Sequence, residues 1–225
     1  MAITFGTVVS TSGAWTTQSL AVDCTGADGL LVLESNANGA GGVTPTSMLY
    51  NSVSMGSPIY SYLLGVGQVS AYLITAPTTG SHNVDVTLSV AQGYCSLCCI
   101  PVIGLSQSTP SRTPSSNSAN PGHNASITPT SNTDDVVVGN VSMYDNTVTS
   151  AGGQTNFFSL TVGGIVTLIG SQKAGGGGAT LAWNGDGTGG NQFVAGAFAL
   201  VPAGGGGGAS VKVPMYYQRK VYINV

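Results

Sequence analysis

The chain has 225 residues, enough to bury a sizeable core in a β-sandwich domain. Only 6% of them are charged, against about 25% in an average soluble protein, so few groups are left for acid–base chemistry. Hydrophobic residues make up 42%, which argues against disorder, and the longest apolar runs, 98–105 and 193–201, fall far short of a membrane-spanning helix of roughly 20 residues.

Gly, Pro, Asn and Ser clusters punctuate the chain at short intervals, and the segments between them favour β-formers. The N-terminus MAITFGTVVS shows no basic region followed by an apolar run, so no secretory signal is expected. Strands are expected at 3–9, 19–23, 29–35, 47–50, 54–64, 70–74 and 80–88. In the last of these Val84, Val86, Leu88 and Val90 alternate with Asp85, Thr87 and Ser89, as in a strand with one wet face. Leu30 to Leu33 is apolar throughout and fits the middle of a sandwich.

The next expected strand, 95–105, contains Cys95, Cys98 and Cys99. A structural zinc needs four converging ligands, and alternation puts Cys95 and Cys99 on one face and Cys98 on the other. With Cys24 the only other cysteine, these residues are read as small core side chains in a reducing compartment. Residues 106–133, with Pro110, Pro114, Pro121 and Pro129 and little apolar content, are expected to be a long surface loop or crossover.

Beyond it, strands are expected at 135–144, 157–161, 165–173, 179–183 and 192–201. No helical stripe is present. Together the strands make an all-β, antiparallel, jelly-roll-like sandwich of two sheets, a single domain over residues 1–203. A Gly run at 204–208 is a flexible linker, and residues 209–225 form a strand-like arm. Lys212, Arg219 and Lys220 give that arm a charge of +3, whereas Arg112 and Lys173 against eight carboxylates leave the body at −6. A basic face suited to phosphates is missing from the body, so no nucleic-acid partner is expected. An apolar, basic strand on a hinge suits a groove or sheet edge. Its candidate partner-binding residues are Lys212, Val213, Met215, Tyr216, Tyr217, Arg219, Lys220, Tyr222 and Ile223.

Other candidate sites read as structural. His82 and His123 have no nucleophile and acid at a triad spacing and are expected in surface turns. Asp134 and Asp135 open a strand; 184–191 reads as a hairpin turn rather than a calcium loop. Asn124 and Asn140 stand in formal glycosylation sequons, which carry no weight without a secretory signal. No metal or cofactor is expected.

Four segments, PTSMLYNSVSM, SAYLITAPTTGSHNVDVTLS, CCIPVIGLSQSTP and GATLAWNGDGTGGNQFVAGAFALVPA, together resemble a jelly-roll β-sandwich domain of phage virion proteins and related bacterial surface proteins. Tyr50, Asn51, Val53 and Met55, then Tyr72, Pro77, Gly80, His82, Val84 and Val86, then Trp183 and the strand through Val201 take the places of its motifs, over about residues 20–202. Ser52 stands where that pattern has Gly. The resemblance brings no catalytic residue and implies a jelly-roll sandwich located in a particle or on a surface.

The expected function is therefore a virion structural protein rather than an enzyme: a capsid decoration or cement subunit, assembled in the host cytoplasm, with other virion subunits and its own copies, as a trimer, for partners. A tail- or head-fibre component is the nearest alternative. Another is a carbohydrate-binding adhesin module using Trp15, Tyr60, Tyr62 and Tyr144.

Overall fold

The computed structural model describes residues 1–37, 41–65, 67–144, 147–162, 166–187 and 192–204. These residues form antiparallel strands and no helix. In chain order they are β1 (Thr4–Phe5), β2 (Val9–Asp23), β3 (Gly29–Ala37), β4 (Pro45–Tyr50), β5 (Val53–Ser54), β6 (Tyr60–Leu64), β7 (Gly67–Thr75) and β8 (Ser81–Ile103). There follow β9 (Ser115–Ala119), β10 (Asn124–Ile127), β11 (Val136–Tyr144), β12 (Val148–Ser150), β13 (Thr155–Val162), β14 (Val166–Ala174), β15 (Leu181–Gly185) and β16 (Gln192–Leu200).

The antiparallel sandwich expected from the sequence is present, and it occurs twice. β8 is one strand where alternation predicts two, because its ladder with β2 continues through the bend at residues 89–93. The ribbon of β2 and β8 folds over itself there. Residues 81–88 of β8 lie between β4 and the second half of β2, whereas residues 94–102 lie between β3 and the first half of β2. Val84, Val86 and Leu88 from one arm of β8 thus meet Cys95, Leu97 and Cys99 from the other in one buried cluster. A four-stranded layer, β5-β4-β8-β2, closes over a five-stranded layer, β6-β7-β3-β8-β2.

The second half of the chain repeats this plan, except that the two-residue strands β1 and β5 have no counterpart. Its five-stranded sheet runs β13-β14-β11-β16-β9 and its three-stranded sheet runs β10-β15-β12. Here β9 and β10 replace the two halves of β2, and β16 and β15 replace those of β8. The registers agree as well: Gly29 pairs with Thr75 and Val102, just as Val136 pairs with Ala174 and Leu200.

The expected loop at 106–133 is corrected by this repeat. It contains β9 and β10, whose Ser/Asn-rich sequences lack strong β-formers but pair with β16 and β15. Pairing with a ready-made apolar neighbour overrides local propensity. The expected strand at 54–64 is also corrected: Gly56, in a left-handed conformation with φ of 77°, and Pro58 separate β5 from β6.

The two sandwiches pack through the outer faces of their five-stranded sheets. Leu31, Leu33, Val69, Ala71, Cys98 and Ile100 meet Val138, Leu168, Val194 and Phe198 in a continuous core between them. Buried between two layers, β3 is inaccessible on both faces, which explains its unbroken apolar run. Inside the second sandwich Val137, Val141, Ile169, Leu181 and Trp183 form a further core. Equivalent faces meet, so the arrangement is that of an isologous dimer within one chain. The join is also polar at one point. The Tyr60 hydroxyl lies 2.5 Å from Asn140 Oδ1 and 3.0 Å from the Gly196 carbonyl, while Asn140 Nδ2 donates to Ser35 Oγ at 2.8 Å.

Candidate functional site

The two features with functional content are the open sheet edges and a buried polar cluster. Edge strands leave a row of backbone N–H and C=O groups unpaired, and many proteins guard them with charge. Here β5, β6, β9, β10, β12 and β13 are edges, and none carries a charged residue. β1 is also uncharged, and Asp23 closes β2. The exposed side chains include large apolar ones, Leu63 on β6 and Val53 on β5. Among the described residues no further strand pairs with these edges.

At one pole the described chain reaches Gly204, on the rim of a groove of about 500 Å3 lined by Met1, Ile3, Asp134, Val136 and Pro202 among others. The Met1 nitrogen lies 2.9 Å from the Ala203 carbonyl oxygen, so both ends of the double sandwich meet here. Lys212, Val213, Met215, Tyr216, Tyr217, Arg219, Lys220, Tyr222 and Ile223, assigned to partner binding, lie outside the described residues, as does the linker beyond Gly204.

The polar cluster lies inside the first sandwich. Glu34, Asn36, Gln68 and Ser70 are fully buried. Asn36 Nδ2 is 2.7 Å from Glu34 Oε1 and 2.9 Å from Gln68 Oε1, and Ser70 Oγ donates to Glu34 Oε2 at 2.8 Å. Asn36 also grips the backbone of Val43 at both its N–H, 2.8 Å, and its C=O, 2.7 Å. Burial disfavours the charged carboxylate and pushes Glu34 up to about 8, against the opposing pull of the Asn36 and Ser70 hydrogen bonds. The side chain is therefore protonated at neutral pH. The sequence carries a signal for this cluster, an acid and an amide in the otherwise apolar run LLVLESNA, which strand patterning alone passes over.

The remaining candidates are structural. Cys95 and Cys99 face the core inside the first sandwich, and Cys98 faces the core between sandwiches, as alternation requires. All four thiols are free and buried, and burial raises Cys95 to about 12. Asp135 is buried and forms a bidentate ion pair with Arg112 through Nε and Nη2. His82 Nε2 lies 3.1 Å from the Thr79 carbonyl and its ring meets Tyr50 edge-on. Asn140 is buried at the join, whereas Asn124 is exposed on β10. Of the aromatics considered for sugar stacking, Tyr60 is buried, Tyr62 and Tyr144 pack against the core between sandwiches, and Trp15 packs against the core of the first. Asn184 and Gly185 lie on β15 rather than in a turn.

Fold and site thus define a charge-poor tandem β-sandwich with uncharged edge strands, whose outer sides pair with no other described strand. Neither a family model, nor a curated protein, nor a solved structure matches the chain.

Proposed function

We propose that the protein is a virion structural component, a decoration or cement subunit that binds neighbouring capsid subunits through its sheet edges and its C-terminal arm. The observation that carries this reading is the absence of charge from β5, β6, β9, β10, β12 and β13. Solitary sandwiches blunt their edges, and a chain whose edges are uncharged is suited to life among close neighbours. The continuous core between the two sandwiches supports the same reading, because a cement subunit must transmit load between its contacts. So does the +3 arm, which leaves a body of formal charge −6 beside an exposed Asp134.

The test is cosedimentation of the purified full chain with phage particles from cells expressing the gene, beside a variant lacking residues 209–225. The full chain should saturate at a fixed copy number per shell, and the truncated one should bind more weakly. A full chain that stays monomeric and binds no particle would sink the proposal. Equal binding by the truncated chain would remove the arm from it.

A further inference from the structure

The two sandwiches are an internal comparison, since the ladder of β3 with β7 has its counterpart in that of β11 with β14. Glu34 opposite Ser70 corresponds to Val141 opposite Ile169, and Asn36 opposite Gln68 corresponds to Met143 opposite Thr167. The second sandwich fills three of these four places with apolar side chains and folds on the same plan. A carboxyl group at the Glu34 position is thus not a requirement of the architecture. Replacing such groups by apolar ones is commonly neutral or stabilising, so the first sandwich keeps the cluster at a cost to stability.

What the cluster does is hold a segment. Asn36 closes on both backbone groups of Val43, just before β4, and is itself held by Glu34 and Gln68. Gln68 Nε2 continues the network to Ser61 Oγ on β6 at 3.2 Å. We propose that this cluster is a proton-operated latch, which fastens the Val43 segment over the first sandwich while Glu34 is protonated and lets it loosen when the proton leaves. Ionisation would strand a charge in a core where no cation of the described residues meets it. The one ion pair among the described residues, Arg112 with Asp135, belongs to the second half of the chain.

The titratable groups facing Glu34 are Tyr72 on β7 and Cys95 on β8. Burial, and secondarily the Glu34 charge, raises both to about 12. Both therefore stay neutral while Glu34 titrates, and the latch answers to a single proton.

Amide hydrogen exchange of the full chain tests this, with β11 as the built-in control for β3. Between pH 6 and pH 9, after division by intrinsic chemistry, opening at Val43 and β3 should rise more than about ten-fold while β11 changes little. Glu34→Gln keeps the hydrogen-bonding shape without the titration and should abolish the rise. Equal loosening of β3 and β11 in the wild type would overturn the proposal, and so would a Glu34→Gln protein that still loosens with pH. Should that variant fail to fold, the wild-type comparison decides alone.

Discussion

One phenolic oxygen holds together groups from three strands at the join between the sandwiches. Tyr60→Phe leaves Asn140 Oδ1 and the Gly196 carbonyl without that hydroxyl in a buried site, and should destabilise the protein by about 1–3 kcal/mol. A shift in denaturant midpoint at unchanged slope would register it. Gly196 is equally constrained, since a Cβ there would stand 2.3 Å from Tyr60 Cε2. Gly196→Ala must push the ring aside and should cost about as much again. The thiols give a prediction of another kind. Because all four are buried and held neutral, a disulfide exchange reagent should modify none of them in the native protein and all four after unfolding. Rapid modification under native conditions would show that one of these cores opens readily.

At the scale of elements, much was legible in the sequence and the misses have identifiable causes. Alternation in 84–88 locates the outer layer, although Val90, read as its next buried position, is exposed where β8 bends; the continuous apolar runs of β3 and β11 locate the inner layers, because periodicity reports how many faces are buried. β9 and β10 were not legible: SSNSA and NASI are strands only because β16 and β15 offer them a partner. The repeat was hidden for a related reason. Counterparts such as Glu34 and Val141 share a position without sharing chemistry, so backbone register reveals what side chains conceal. The Glu34 cluster was visible as an anomaly in β3, yet only the fold brings Gln68 and Ser70 to it. Edges also admit a direct test. Ser118→Lys on β9 and Leu63→Lys on β6 each add a guard at a solvent-facing edge and should leave monomer stability within about 0.5 kcal/mol. Sedimentation velocity should show self-association reduced by both; unchanged association would mean that neither edge is used.

For the whole molecule, the pH dependence of stability follows from Glu34. Its acidity falls from the ordinary value of 4.5 to about 8 on folding, so between these limits the native state holds a proton that the unfolded chain has released. Raising pH then favours unfolding: this contribution is complete below about pH 4.5, declines through the neutral range and is gone above about pH 8. Thermal unfolding from pH 5 to pH 8.5 should show a falling midpoint, and the Glu34→Gln protein should show a flatter curve across the same window. The first sandwich should lead the loss, because Glu34 is buried there without a cation, whereas the buried Asp135 of the second half is paired with Arg112.

The meeting of Met1 with Ala203 has a topological consequence. A short peptide could join those ends, and the chain could be reopened at the exposed residues 107–109, between the sandwiches. Such a circular permutant would enter the world second sandwich first, yet present much the same silhouette. Its refolding would reveal whether either sandwich must serve as template for the other.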